Sequence, residues 1–110
     1  MDDHKYDLRY LPLFYEDLEE KVLYISNVLH SPKAAKELLD VVENAIIERL
    51  PFCESFERFQ SKKARKYPYY RIYVKNFVIF YVVIDEGHGK KTMEVRRLLY
   101  KKQERWSKLF

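Results

Sequence analysis

The hydrophobic pattern of the chain changes period twice. Tyr6 to Leu11 alternates apolar and polar residues, which predicts a short first strand, and Pro12 ends it. Spacing of three and four residues follows. Tyr15, Leu18, Val22, Ile25 and Leu29 form one stripe, while Glu16, Asp17, Glu19, Glu20 and Lys21 fill the opposite side of a helix. A second helix begins at Ser31-Pro32, with the serine placed as a cap and the proline at the first helical position. Its stripe is Ala35, Leu38, Val42, Ala45 and Ile46, and Leu50-Pro51 closes it. Two amphipathic helices joined this closely form an antiparallel hairpin.

The alternating period returns near residue 70. Phe52 to Pro68 is irregular and ends in the basic run Lys62 to Lys66, a long loop. Tyr70 to Val74 and Phe77 to Ile84 read as strands around a Lys75-Asn76 turn, in which the asparagine tolerates left-handed geometry. The second strand is apolar on both faces and therefore central. Asp85 to Lys91 is the next turn and holds both glycines. Thr92 to Tyr100 is the last strand, and Gln103 to Phe110 a short terminal helix or packed tail. The expected architecture is α+β: an antiparallel helix hairpin on a small, largely antiparallel sheet, in the order β-α-α-β-β-β. The whole chain, 1–110, reads as one domain, since this length suits a single core.

Composition narrows the classes. With 47% hydrophobic and 35% charged residues the chain is globular. Its one cysteine, Cys53, excludes an internal disulfide framework and fits a reducing compartment. No apolar run reaches the length of a membrane span and the first residues lack a signal-peptide pattern, so the cytoplasm is expected and a membrane is not. Net charge is +4, and its distribution is uneven. Acids outnumber bases up to Glu57, whereas most lysine and arginine follows Arg58. This asymmetry suits a polyanion or an acidic partner reached through the C-terminal half.

Four segments, in this order, resemble the RelE/ParE superfamily of bacterial toxins, the toxin halves of type II toxin–antitoxin pairs. They are YLPLFYEDLEEKVLYI (Tyr10 to Ile25), HSPKAA (His30 to Ala35), YRIYVKNFVIFYVV (Tyr70 to Val83) and VRRLLYKK (Val95 to Lys102) running on to Trp106. The similarity covers nearly the whole chain. Where many members end in histidine, glycine and two arginines, this chain has Tyr100, Lys101, Lys102 and Gln103.

The resemblance implies one of two actions. RelE-like members cleave messenger RNA in the ribosomal A site without a metal or cofactor, by attack of the 2′-hydroxyl on the neighbouring phosphate. ParE-like members poison DNA gyrase and perform no chemistry of their own. A toxin fold kept only as a partner-binding module is a third reading. By position, Arg71, Arg97 and Tyr100 match the active face of RelE-like members, with the arginines on phosphate and the tyrosine stacking or assisting. Lys62, Lys63, Arg65, Arg96, Lys101 and Lys102 are the expected RNA contacts. Other roles are open to several of these residues. Arg97 can pair with a helix carboxylate, Arg96 can exchange places with it across a bulge, Tyr100 can pack on Trp106, and the lysine run can be a solvated loop. The expected partner is a small acidic antitoxin laid over the helix hairpin and the open sheet. His4, His30 and His88 show no metal-like spacing, and Cys53 reads as a small buried residue.

Overall fold

The computed structural model describes residues 5–59, 66–87 and 89–102. Strand β1 (Tyr6–Tyr10) leads into α1 (Pro12–Leu23), a π-helical turn (Tyr24–Val28), α2 (Pro32–Arg49) and a 3-10 turn (Leu50–Phe52). Strands β2 (Arg58–Phe59), β3 (Tyr69–Val74), β4 (Phe77–Asp85) and β5 (Lys91–Tyr100) complete the order. All five strands form one sheet, β1-β5-β4-β3-β2. β1 runs parallel to β5 and every other pair is antiparallel.

The α+β class and the helix hairpin on a mostly antiparallel sheet are as expected. The strand order is not. Arg58–Phe59 forms an extra edge strand on Tyr69-Tyr70, inside the stretch read as a loop. Two residues carry no period of their own, so only their pairing partner reveals them. Among the described residues no helix is long and apolar enough to cross a membrane.

The helices differ in how closely they follow their patterns. Ser31 caps α2 as its position suggests, its Oγ accepting the Ala34 N–H at 3.2 Å. Ala35, Leu38, Val42 and Ile46 are buried, giving the expected stripe. Along α1 and the turn after it, Leu18, Val22 and Ile25 of the expected stripe pack on the core, whereas its two ends, Tyr15 and Leu29, are exposed and Phe14 is buried instead. Asp17 and Lys21, expected on the outer side, are buried at 9% and 2% exposure. An apolar count cannot find a charged residue whose partner lies across the fold. The crossing to α2 is tight, with Leu29 N–H bonded to the Tyr24 carbonyl and His30 left-handed at φ 54°.

β4 is central and apolar on both faces. Ile79 and Tyr81 pack towards the helices with Phe14, Leu38 and Ile46. Val78, Phe80 and Val82 pack with Tyr69 and Leu99 on the opposite face. In the β3–β4 turn it is Lys75, at φ 52°, and not Asn76 that takes the left-handed conformation. Both glycines of the β4–β5 turn have positive φ, as their position suggests. A β-carbon in left-handed geometry costs roughly 1–2 kcal/mol. Lys75→Gly is therefore expected to stabilise the protein by about 1 kcal/mol. The urea midpoint should rise at unchanged slope, and a lower midpoint would show that the turn is unstrained.

Candidate nucleic-acid interface

Cross-strand register decides which side chains share the face turned away from the helices. Arg71 on β3 and Arg97 on β5 both sit opposite Phe80, giving a row Arg71–Phe80–Arg97 across three strands. The next row is Tyr73–Val78–Leu99, and Lys101 follows beyond β5. Between Phe80 and Tyr81 the ladder shifts register, so that Val95 pairs with Tyr81 while Arg97 pairs with Phe80. Arg96 is the extra residue of this β-bulge. A bulge re-aims side chains without ending a strand, and here Arg96 comes to the same face as Arg97, donating to Tyr69 Oη at 3.2 Å.

The arginines differ in how they are held. Arg97 grips Asp17 of α1 with both arms of its guanidinium, Nε to Oδ2 at 2.8 Å and Nη2 to Oδ1 at 3.1 Å. The same Oδ2 accepts the Leu98 N–H at 2.9 Å. β1 ends at Tyr10 opposite Val95, and among the described residues no strand lies beside this edge of β5 beyond that pair. Asp17 takes the place of that missing strand. Its hydrogen bonds to Arg97 raise the already high pKa of the guanidinium. Of the two roles open to Arg97, pairing with a helix carboxylate is therefore the one seen.

Arg96 donates from Nε to Glu94 Oε1 at 2.8 Å, and Arg9 reaches Glu94 Oε2 at 2.9 Å. Glu94 is 5% exposed. Burial opposes its ionisation, yet the bonds from Arg96 and Arg9 outweigh burial and hold its carboxyl below the usual range. Arg71 is held most loosely. Its guanidinium lies 5.1 Å from the Phe59 ring and 5.8 Å from the Tyr73 ring, and among the described residues its one ion-pair contact is Glu57 at 4.0 Å, a side chain 86% exposed.

Tyr100 stands apart from this face. It pairs with Phe77 on the helix side, rings 5.1 Å apart, and Lys21 Nζ lies 4.9 Å from its centroid. Burial, with Glu20 nearby, raises its hydroxyl pKa and keeps the proton on. The expected trio is thus split, with Arg71 and Arg97 on one face and Tyr100 on the other. Lys101 joins the arginine face with Nζ 5.4 Å from the Tyr73 ring, and Lys102 is exposed. Lys62, Lys63 and Arg65 lie outside the described residues, as does Trp106.

Sequence reasoning passed over Asp17, Glu94, Tyr69 and Tyr73. The tyrosines were findable, since residues two apart on a strand share a face and Arg71 lies between them. The carboxylates gave no such signal. Cys53 is fully buried, and burial pushes its thiol pKa up to about 11, which leaves it unreactive. Among the described residues no group of three or more His, Cys, Asp or Glu is placed to hold a metal ion.

Two predictions test these supports. Asp17→Ala leaves Arg97 unpaired and the Leu98 N–H without its acceptor, and should cost about 3 kcal/mol in chemical denaturation. A loss under about 0.5 kcal/mol, the level of an ordinary surface change, would mean the contact is ornamental. Glu94 has a lowered folded-state pKa, so its stabilisation is present above the ordinary value of about 4.3 and is lost as pH falls through the folded value. Glu94→Gln should cost about 2 kcal/mol at pH 7, and the gap to the parent should close as both are titrated below that range. A gap that stays constant with pH would remove the charge from the explanation.

No protein-family model matches the chain, and no curated protein shows significant similarity to it.

Proposed function

We propose that the chain is the toxin component of a type II toxin–antitoxin module of the RelE/ParE superfamily, acting in the cytoplasm. Its action, on this reading, is RelE-like: ribosome-dependent, metal-independent cleavage of messenger RNA that arrests translation. The observation that carries the reading is the Arg71–Phe80–Arg97 row on the face turned away from α1 and α2, with Arg96 and Lys101 beside it. Cleavage by a 2′-hydroxyl needs a proton removed, extra negative charge stabilised, and a leaving oxygen protonated. A guanidinium serves the charge requirement, because its planar fork matches phosphate oxygens. Arg71 is the first choice for that role. It lies on the face turned away from α1 and α2, and its acidic neighbour is distant and hydrated. Arg96 borders it with Tyr69 Oη at hydrogen-bond distance, and Tyr100, on the other side of the sheet, is left out of the grip.

One observation favours the alternative, a ParE-like inhibitor of DNA gyrase that only binds. Both arginines of β5 are engaged by carboxylates, Arg97 by Asp17 and Arg96 by Glu94. A face built of satisfied ion pairs suits docking on a protein as well as proton transfer. Under either action the partner in the resting cell is a small acidic antitoxin, and a short acidic reading frame beside this one is expected.

Two assays decide between the actions: cleavage of message on programmed ribosomes, and inhibition of gyrase supercoiling. The nuclease reading expects cleavage, and expects Arg71→Ala to lower its rate by about 10²–10³-fold, the usual cost of one charge-stabilising donor. Intact message with arrested supercoiling would move the protein to the other branch.

A further inference from the structure

Helix α2 carries an exposed ridge that reads apolar, acidic, apolar. Leu39, Glu43 and Ile47 recur at steps of four, so they stand one above another on one side of the helix. Leu39 and Ile47 are 42% and 51% exposed. Beside the ridge an open groove of about 430 Å³ runs between α1 and α2, lined by Tyr10, Phe14 and Tyr15 on one side and by Leu39, Asp40 and Glu43 on the other, among others. The three rings stand against one another, with centroids 5.3, 5.5 and 5.7 Å apart. Burial raises the Tyr10 hydroxyl pKa, and Tyr15 and Glu43 raise it further, so the Glu43 charge is felt at this ring. Among the described residues neither Asp40 nor Glu43 has an ion-pair partner.

We propose that this groove receives a helix of a protein partner that places a lysine or arginine between two apolar side chains, the cation seated among Asp40, Glu43 and the tyrosine rings. The groove lies on the helix side of the sheet, so its occupant is independent of what the Arg71–Phe80–Arg97 row binds. Charge selects the partner. A wholly apolar helix would cover two carboxylates without supplying a cation, which is costly. An acidic helix would bring like charge to them, and a second copy docked symmetrically would set one Glu43 near the other. A small amine would satisfy the acids and leave Leu39 and Ile47 in water. An apolar–basic–apolar stripe matches all three positions of the ridge. Its apolar residues cover Leu39 and Ile47, and its cation gains charge-assisted bonds from the carboxylates and cation–π attraction from the rings. This is recognition of a helix in a groove, with anchors at steps of three and four. The ridge from Leu39 to Ile47 is about 12 Å long, which two turns of a partner helix span.

The test titrates the whole chain into a fluorescein-labelled, alanine-based peptide of about 20 residues, long enough to hold a helix, and reads fluorescence anisotropy. The peptide carries leucine, arginine and leucine at steps of four, and two counterparts carry glutamine or glutamate in place of the arginine. The arginine peptide should bind, and the glutamine peptide should bind about ten-fold more weakly. Glu43→Gln, at an exposed position, should weaken the arginine peptide about ten-fold and leave the glutamine peptide unchanged. A merely structural effect of the substitution would weaken both alike. Leu39→Gln should weaken both, and the glutamate peptide should show no affinity that Leu39→Gln removes. An arginine peptide that does not bind, binds no better than the glutamine peptide, or keeps its affinity in Glu43→Gln would overturn the proposal. Binding of the glutamate peptide that Leu39→Gln abolishes would overturn it in favour of an acidic partner. Self-association of the parent in sedimentation that Leu39→Gln abolishes would overturn it in favour of a second copy.

Discussion

The carboxylate of Asp17 joins the helix layer to the sheet at the point where strand pairing stops. Without it the Leu98 N–H, on a buried residue beyond the end of β1, would lack an acceptor, at a cost of about 1–3 kcal/mol. A carboxylate satisfies that donor but brings a charge into the interior, and Arg97 compensates the charge with a two-armed bond. One turn along α1, buried Lys21 lies over Tyr100 at the end of the same strand. The helix therefore holds β5 at two points. The position of β5 in turn fixes where Arg96, Arg97 and Lys101 emerge, so the basic face depends on a contact made on the other side of the strand edge.

The bulge at Arg96 works with this clamp. In a regular strand, Arg96 and Arg97 would point to opposite faces, and one of them would enter the helix-side core beside Val95 and Leu98. The extra residue brings both to one face. The crowding of like charge that results is relieved by Glu94, which lies between Arg9 and Arg96 and is itself nearly buried. Aromatic rings from β3 complete the arrangement, with Tyr69 accepting from Arg96 and Tyr73 lying beside Arg71.

What the sequence made legible follows from which interactions are local. The stripe of α2, its Ser31-Pro32 start, the doubly apolar β4 and the glycine turn rest on periodicity and on local backbone preference, and all are found where the pattern puts them. The two-residue strand β2 and the burial of Asp17 and Lys21 on α1 rest on partners far along the chain. Asp17 and Arg97 are separated by 80 residues, and nothing near either announces the other. The same division runs through the site. Arg71 and Arg97 share a face because alternation and register carry them there, whereas Tyr100 falls on the other face because the strand keeps its alternation after the bulge.

The strength of each ion pair ranks the cations as ligands for a polyanion. To grip a phosphate with both arms, Arg97 must release a carboxylate that is itself tied to the backbone, and would leave Asp17 buried with an uncompensated charge, an outcome worth several kcal/mol. Arg96 must give up Glu94, although Arg9 remains to balance that acid. Arg71 gives up a contact of 4.0 Å to a hydrated glutamate, which costs almost nothing. The order of readiness is therefore Arg71, then Arg96, then Arg97, the reverse of what position along the basic C-terminal segment suggests. If the face binds a polyanion as proposed, Arg97 contributes positive potential and fixes the strand, and Arg71 is the side chain most ready to hold a phosphate directly.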